Sequence, residues 1–301
     1  MSDQKEWPFS ISVVIPARNE THTISTVVRD VRNVVPTAEI IVVDDASTDD
    51  TAEKATDAGA HVIRRPHNVG NGAGIKTGVR AARGDVVIVL DADGQHDARE
   101  IPKLLQYIGP YDMVIGERNR AGQQNVIRWI GNTLLNKLGS YLIEMDMRDL
   151  TSGFRAMRRS IMMEFLHLLP NKMSWPTTSA LAFGKAGYHI RFEPITVAPR
   201  RTGHSAQKLL RNGFRFTGII LRITTLFAPM RVFFPVSMTM LLSSISSFVV
   251  SYVVTDPGRL RIPNSAVMFF VGAVVVVMFG LLGEHIAGLR FQRRDTTERS
   301  E

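Results

Sequence analysis

The feature that most limits how this chain can fold is a pair of long segments without any charged residue, 232–254 and 262–283. Each reaches the roughly 20 apolar residues that an α-helix needs to cross a bilayer core. The short connector between them contains Pro257 and Gly258, a turn-forming pair. We therefore predict a two-helix transmembrane hairpin. The alternative, two buried helices of a soluble protein, is less favoured because uncharged runs of this length are rare in soluble folds.

Basic residues flank the hairpin unevenly. The connector holds only Arg259 and Arg261, whereas the outer flanks carry Arg211, Arg215, Arg222, Arg231, Arg290, Arg293 and Arg294. Cytoplasmic loops of membrane proteins carry the excess of lysine and arginine. We therefore expect a multi-pass protein of the cytoplasmic (inner) membrane, with both termini and everything before the hairpin in the cytosol.

The formal net charge of +8 indicates an anionic partner, and the pattern of residues favours a membrane. Apolar and basic residues alternate at near-helical spacing in 208–222, as in a helix lying on anionic lipid. A solvated basic linker is the alternative. No nucleic acid is expected, since no recognised binding motif accompanies the basic residues. The predicted boundaries are a domain at 1–205, juxtamembrane amphipathic helices at 206–229, the hairpin at 230–290 and a cytoplasmic tail at 291–301.

The first two hundred residues alternate β-rich runs with helical periodicities, which implies βαβ units and a mostly parallel, buried sheet. Strands are predicted at 10–16, 39–43, 61–64 and 85–90, and helices at 18–33, 51–58 and 72–82. Ligands of such folds bind at the carboxyl ends of the strands. Three polar turns, 16–20, 44–49 and 91–95, are predicted to meet there, and this is the first indication of a functional site.

Two acidic residues separated by one position, Asp91 and Asp93, follow the fourth predicted strand. In extended chain the side-chain period of two would point both carboxylates the same way, where a divalent cation would relieve their repulsion. Mg²⁺ or Mn²⁺ suits all-oxygen ligands and bridges to substrate phosphates. Gln95 could supply a further oxygen. A lone D-x-D triplet is often only surface decoration, but the two neighbouring polar turns favour a metal site.

Several motifs together resemble the family-2 glycosyltransferases of the GT-A fold. They are SVVIPARNE at 12–20, IIVVDDASTDDT at 40–51, NVGNGAGIKTGVRAARGD at 68–85 and VLDADGQ at 89–95. GER at 116–118, DLTSGFR at 149–155 and the hairpin narrow the resemblance to the polyprenyl-phosphate glycosyltransferases, the group of dolichol-phosphate mannose synthase. The resemblance covers roughly 10–290. It implies an α/β fold in which 1–205 is a GT-A nucleotide-sugar-binding catalytic domain with a mostly parallel sheet, followed by the two-helix transmembrane hairpin.

The resemblance implies a donor site and a metal site. In such enzymes the P-x-x-N-E turn lies against the nucleotide, and the D-x-D-x-Q pattern, here Asp91, Asp93 and Gln95, binds Mg²⁺ or Mn²⁺. The residues implied to bind the donor or its nucleotide are Pro16, Ala17, Arg18, Glu20, Val43, Asp45, Lys76, Asp91, Ala92, Arg200 and Lys208. The chain departs from the family where Ala206 replaces a lysine of the R-x-x-G-x-S-K motif, and Lys208 is the candidate substitute.

On the acceptor side, the resemblance implies that a lipid monophosphate is held by Arg118, Arg128 and Asn132, although Asn132 stands where the family often has serine. Asp93, Arg118 and Arg128 are the implied catalytic residues. A phosphate monoester is already an ionised nucleophile at neutral pH, whereas a sugar hydroxyl needs a carboxylate base. Residues 172–185 contain no acidic residue, which favours the phosphate acceptor.

We therefore expect inverting, metal-dependent transfer of a hexose from a UDP- or GDP-linked donor to undecaprenyl or dolichyl phosphate at the cytoplasmic membrane face. The alternatives are a processive polysaccharide synthase of the same fold, whose Q-x-x-R-W motif the segment 124–129 misses by one residue, and a catalytically idle membrane scaffold. The partners implied are a nucleotide sugar, the polyprenyl phosphate lipid and the membrane. A further copy of the chain and a downstream lipid flippase are additional candidates.

Overall fold

The computed structural model describes residues 6–118, 126–172, 174–197, 225–255 and 261–291, with the backbone alone at 126–132, 142, 254–255 and 290–291. The chain divides into two compact units, Met1–Lys208 and Leu209–Glu301. The predicted tail beyond residue 291 and most of the predicted juxtamembrane segment lie outside the described residues. So do Arg200 and Lys208.

The first unit is built on one seven-stranded sheet with helices on both faces. Its strands are β1 (Ile11–Ala17), β2 (Glu39–Asp44), β3 (His61–Arg64), β4 (Val86–Val89), β5 (Met113–Arg118), β6 (Arg155–Arg158) and β7 (Ile190–Ile195). Its helices are α1 (Ile24–Val34), α2 (Thr51–Asp57), α3 (Asn71–Ala81), α4 (Ile101–Leu105), α5 (Val126–Ile143), α6 (Arg159–Phe165) and α7 (Trp175–Lys185).

The strand order is β3-β2-β1-β4-β6-β5-β7. Every neighbouring pair is parallel except the two that involve β6, which runs antiparallel to both β4 and β5. The predicted α/β fold with a mostly parallel sheet is therefore confirmed. Because β6 is reversed, its first residue lies at the edge where β4 and β5 end. The loop before β6 consequently meets the ends of those two strands.

Side chains of β1 alternate between two packed layers. Val13 and Ile15 join α1 and α4 in one hydrophobic core, whereas Val14 faces α3, where a Cβ on Gly78 would come within 2.3 Å of it. All seven residues of β1 are buried, as expected for a central strand of a parallel sheet. This rigid centre fixes the turns that leave its carboxyl edge.

Helix α1 begins later than the sequence pattern predicts. The helical spacing correctly identifies its buried face, Ile24, Val27, Val28 and Val31, but the helix starts at Ile24 rather than at residue 18. Asn19 has a φ of 55°, in the left-handed region. The residues before Ile24 therefore form a turn, and that turn carries much of the predicted donor site.

The second unit contains α8 (Met230–Val250), a π-helical turn (Ser251–Thr255) and α9 (Asn264–Phe291). Two stretches, Met230–Val253 and Asn264–Leu289, are long and apolar enough to span a membrane, with mean hydropathies of 1.7 and 2.6. The helices bind each other through serines, since Ser237 Oγ donates to Ala273 O at 2.9 Å and Ser244 Oγ to Ala266 O at 2.7 Å. Most of their apolar side chains are exposed, which favours the membrane hairpin over buried helices of a soluble core.

Candidate active site

The turns that follow β1, β2 and β4 are hydrogen-bonded to one another at the carboxyl edge of the sheet. The Asn19 N–H donates to Ser47 Oγ at 2.9 Å, and Asn19 Oδ1 accepts from the Thr48 N–H at 2.9 Å. Thr23 Oγ1 donates to the carbonyl of Ala92 at 2.7 Å. The structure thus brings together the three polar turns that the sequence predicts to meet.

The two aspartates at the end of β2, Asp44 and Asp45, both accept hydrogen bonds from the protein itself. Asp44 is fully buried and accepts the Ser47 N–H at 3.0 Å, so it holds its own turn. Asp45, a predicted nucleotide-binding residue, accepts the N–H groups of Val69 and Gly70 at 3.1 and 2.8 Å. The Asp45 carboxylate therefore ties the end of β2 to the loop before α3, and its contact with a nucleotide stays a prediction.

Asp91 lies where four parts of the chain meet. His96 Nε2 is 3.7 Å from Asp91 Oδ2, the Asn71 side chain at the start of α3 hydrogen-bonds the carboxylate, and Arg118 adds a nearby positive charge. A Cβ at Gly153 would lie 3.0 Å from Asp91 Oδ2. The loop before β6 therefore passes directly over this carboxylate, and a larger side chain than glycine would crowd it.

The pKa of Asp91 lies below its usual value. Burial raises the pKa, but the contact with His96 at 3.7 Å, the positive charge of Arg118 and the hydrogen bond from Asn71 together outweigh burial. Asp91 is consequently ionised at neutral pH. Within the described part of the chain, no lysine or arginine nitrogen lies within 4.0 Å of its oxygens, and its side chain is 34% exposed.

The predicted metal ligands offer only oxygen donors. Asp93 and Gln95 are both half-buried, and the Gln95 N–H donates to Asp93 Oδ1 at 3.1 Å. Strand β4 ends at Val89 and residues 92–93 lie in a turn, so the period of two along a strand does not set the direction of these carboxylates. In the described ranges, no three Asp, Glu, His or Cys side chains form a metal-binding cluster. The two carboxylates fit Mg²⁺, which keeps waters and substrate phosphates among its ligands.

Arg118, a predicted acceptor residue, ends β5 in a fork with Asp149. Its Nε and Nη2 donate to the two carboxylate oxygens, both at 2.8 Å, and its backbone N–H donates to Asp149 Oδ2 at 3.2 Å. Burial raises the pKa of Asp149, but these bonds and the Arg118 charge lower it by more than burial raises it. The pKa of Asp149 is therefore below the usual value. A paired aspartate of this kind is ionised at neutral pH and holds the guanidinium in one orientation.

Lys76 contacts the loop before α7, and its predicted contact with the donor phosphates stays a prediction. Its Nζ donates to Leu169 O at 3.2 Å and to the Asn171 side chain. The same loop caps α3, since the N–H groups of Gly72 and Ala73 donate to Lys172 O and Asn171 O at 3.2 and 2.8 Å. The start of α3 is thereby joined to the segment that leads into α7.

Behind the loop before β6 lies Arg155, whose side chain is completely buried. Its Nη1 donates to Pro176 O at 2.8 Å and Ser179 Oγ at 2.9 Å, and its Nη2 donates to Ser152 O. Its guanidinium lies 5.0 Å from the ring centre of Trp175. Arg155 therefore joins the loop over Asp91 to the first turn of α7.

The remaining predicted residues fall into three groups. Pro16, Ala17, Val43 and Ala92 are buried, with Pro16 and Val43 paired in register and packed beneath α3. Arg18 is exposed and Glu20 is half-buried on the first turn. Arg128 and Asn132 belong to α5, but their side chains lie outside the described part, as do Arg200 and Lys208 entirely.

Three residues of the site are absent from the sequence-based list of candidates: Asn71, His96 and Asp149. His96 directly follows the D-x-D-x-Q pattern, so its position in the sequence could have indicated it. The expected turn after the fourth strand argues against His96 as a metal ligand. Asp149 opens the DLTSGFR motif, which indicates the family without giving the residue a role. Its partnership with Arg118 depends on contacts 31 residues apart, which no local pattern reveals.

Comparison with known proteins agrees with this fold and site. Residues 12–166 match Glycosyl transferase family 2, and residues 228–289 match the GtrB C-terminal hairpin. The chain belongs to glycosyl transferase family 2 and is a glycosyltransferase.

Curated relatives include enzymes from archaea and bacteria. Glycosyltransferase AglJ of Haloferax volcanii is 33% identical over 65% of this chain and 65% of its own length. Undecaprenyl-phosphate mannosyltransferase of Micrococcus luteus is 29% identical over 65% of this chain and 86% of its own. The putative glycosyltransferase CsbB of Bacillus subtilis is 26% identical and spans 94% of this chain and 88% of its own length, so that match reaches the hairpin.

Solved structures confirm the GT-A fold. Glucosyl-3-phosphoglycerate synthase from Mycobacterium tuberculosis, crystallised with Mn²⁺, UDP and phosphoglyceric acid, has a TM-score of 0.57 to this chain at 24% identity. The match covers 72% of this chain and 78% of the synthase. A second crystal structure of that enzyme, with Mg²⁺ and UDP, gives the same TM-score over 72% of this chain and 79% of the synthase.

Proposed function

We propose that this glycosyltransferase moves a hexose from a UDP- or GDP-linked donor onto a polyprenyl phosphate, with inversion at the anomeric carbon. An oxygen of the lipid phosphate attacks the anomeric carbon, and the bond from that carbon to the β-phosphate oxygen breaks. The nucleoside diphosphate leaves with the bonding electrons, and no proton has to be removed from the nucleophile. The product is a polyprenyl-phosphate sugar.

The observation that carries this proposal is the position of Arg118 beside Asp91 at the carboxyl edge of the sheet. An ionised carboxylate suited to a cation and a guanidinium suited to a phosphate are held near each other. That combination fits two anionic substrates, a nucleoside diphosphate sugar and a phosphate acceptor. The absence of acidic residues in 172–185 supports an acceptor that needs no base.

Asp91, Asp93 and Gln95 would hold Mg²⁺ or Mn²⁺ in this proposal. The bound ion would neutralise the diphosphate leaving group, a role in which metals stabilise developing charge. The structural neighbour is crystallised with Mn²⁺ or Mg²⁺ together with UDP, which supports the metal without identifying the nucleotide used by this chain. The donor contacts of the first turn, including Arg18 and Glu20, belong to the same proposal.

The acceptor class rests on the relatives and on the hairpin. Relatives are named undecaprenyl-phosphate mannosyltransferase and undecaprenyl-phosphate 4-deoxy-4-formamido-L-arabinose transferase. The two apolar helices would keep the enzyme at the bilayer surface, where the headgroup of a polyprenyl phosphate is presented. The arginine distribution supports a cytosolic location for the catalytic domain and both termini. Arg128 and Asn132 are proposed to complete the phosphate site with Arg118.

The proposal is tested with membranes that contain the full chain, incubated with labelled nucleotide sugars, polyprenyl phosphate and Mg²⁺. Label in a phosphoglycolipid extracted into organic solvent supports it. Label in a polymer would identify a processive polysaccharide synthase, and no label from any donor would identify an idle scaffold. Membranes containing Asp93→Asn serve as the matched control, because they report the contribution of the host's own transferases.

A further inference from the structure

The carboxylate of Asp149 fixes both the backbone and the side chain of Arg118. It accepts three N–H groups of that one residue, and Thr151 Oγ1 donates to Asp149 Oδ1 at 3.1 Å while also accepting from Arg118 Nη2. Asp149 is 4% exposed. A buried fork of this kind allows the guanidinium one orientation, since rotation would break two bonds together.

The fork uses Nε and Nη2 of the guanidinium and leaves Nη1 for a second anion. Nε and Nη2 of Arg118 bind Asp149, whereas Nη1 makes no hydrogen bond to any residue that the structure describes. The side chain is 28% exposed. A phosphate bound to Nη1 would meet N–H groups whose direction is already set, which reduces the entropy lost on binding.

Asp149 also decides which carboxylate Arg118 neutralises. The loop that carries Asp149 passes over Asp91, since a Cβ at Gly153 would lie 3.0 Å from Asp91 Oδ2, and the Arg118 charge lowers the pKa of Asp91. The ion pair of Arg118 is nevertheless with Asp149, at 2.8 Å. If Asp149 lost its charge, Asp91 would be the nearby carboxylate left to attract the guanidinium. A pair between Arg118 and Asp91 would consume the negative charge that a divalent cation needs.

We propose that Asp149 is a positioning residue with two effects: it directs Arg118 toward the acceptor phosphate and it withholds Arg118 from Asp91. The first effect rests on the proposed function, because it needs a phosphate acceptor. The second concerns this chain's affinity for a divalent cation, and it can be measured without turnover. The two effects therefore give separate readouts.

The decisive variant is Asp149→Asn, which keeps the shape of the side chain and removes its charge. We expect the KM for polyprenyl phosphate to rise about tenfold, the loss typical of one charge-assisted bond, while the KM for the donor at saturating Mg²⁺ stays within about twofold. Binding of Mn²⁺ to the purified protein, followed by electron paramagnetic resonance without substrates, should weaken by about tenfold as Arg118 turns to Asp91.

The matched control is Asp112→Asn. Asp112 precedes β5 at the end opposite Arg118, pairs with Arg158 at 3.3 Å and accepts the His189 N–H at 3.0 Å. Loss of this pair should reduce thermal stability about as much as Asp149→Asn, yet leave both KM values and Mn²⁺ affinity within about twofold. Equal kinetic effects of the two variants would overturn the positioning role.

Two further variants decide the matter if Asp149→Asn does not fold. Asp149→Glu retains the charge, so Mn²⁺ affinity should be preserved while the KM for the acceptor rises because the guanidinium is displaced. Thr151→Val removes the hydroxyl that bridges Arg118 and Asp149 but keeps both charges, and it should raise the KM for the acceptor severalfold. Wild-type protein that does not glycosylate polyprenyl phosphate refutes the proposed function. Active wild type with an unchanged acceptor KM in these variants refutes the positioning of Arg118 by Asp149, and unchanged Mn²⁺ affinity in folded Asp149→Asn refutes the effect on Asp91.

Discussion

The hydroxyl of Thr23 and the carbonyl of Ala92, 2.7 Å apart, join the first turn of the site to the turn that carries the two aspartates. Thr23 is buried, so Thr23→Val would leave the Ala92 carbonyl without a partner at nearly unchanged volume. We expect a loss of about 1–3 kcal/mol in the free energy of unfolding and weaker donor binding. Urea titration measures the loss of stability, and steady-state kinetics measures the donor KM. Thr26→Val, on the exposed side of α1, should change stability by less than about 0.5 kcal/mol.

Asp93→Asn should reduce sugar transfer by at least about 100-fold, because it removes a proposed ligand of the metal that would stabilise the leaving diphosphate. The measurement is kcat/KM over a range of Mg²⁺ concentrations. Asp97→Asn provides the control from the same loop, since Asp97 pairs with exposed Arg99 at 2.7 Å, and it should retain transfer within a few-fold. Normal activity of Asp93→Asn would remove Asp93 from the metal site.

Arg128→Ala should weaken use of the lipid acceptor more than use of the donor. The reason is that Arg128 is proposed to bind the acceptor phosphate, whereas the donor is proposed to bind at the turns that follow β1, β2 and β4. Steady-state kinetics with each substrate varied in turn separates the two KM values. A change in donor KM alone would contradict the assignment of Arg128 to the acceptor.

Folding stability should fall in acid partly through Asp149. Its pKa lies below the usual 3.8 in the folded protein, so the stabilisation is complete above that value and disappears as the pH falls through the folded pKa. Denaturation midpoints of the detergent-solubilised chain between about pH 6 and 2 should therefore show a steep acid limb. The limb should be shallower in Asp149→Asn, and an identical pH profile would show that the fork with Arg118 does not contribute.

Gly72→Ala should detach the loop before α7 from α3. A Cβ at this position would lie 2.2 Å from Pro170 O, so the loop must move and two capping bonds to α3 are lost. We expect a loss of about 1–3 kcal/mol in stability and reduced transfer. Gly74→Ala, whose Cβ would meet Pro16 Cβ at 3.3 Å, should cost less. Thermal unfolding of both variants makes the comparison.

The parallel part of the sheet could be predicted because each element carries its own signal. Strand β3 has the predicted bounds, and the buried face of α1 follows from the spacing of Ile24, Val27, Val28 and Val31. The start of α1 could not be predicted, since the left-handed backbone of Asn19 is stabilised by Ser47 and Thr48 from another turn. Tertiary contacts override local periodicity there.

The donor-side turns of the site were predictable for the same reason: they directly follow recognisable strands. The partner of Arg118 was not, because it depends on β6 entering the sheet between β4 and β5 in the reverse direction. Sequence periodicity indicates that a strand exists but not which neighbours it has. Contacts such as those between Asp149 and Arg118, or between Gly153 and Asp91, become visible only with the strand order.

The reversed direction of β6 means that the two halves of the site are carried by different connections of the fold. Strands β4 and β5 run toward the site, so the positions of Asp91 and Arg118 depend on where these two strands end. Strand β6 runs away from the site, so the residues that precede it, including Asp149, lie at the site. Insertions between α5 and Asp149 would therefore change the surroundings of Arg118 without shifting β4. A change in that single connection would therefore alter the surroundings of Arg118 while the turns after β1, β2 and β4 keep their positions.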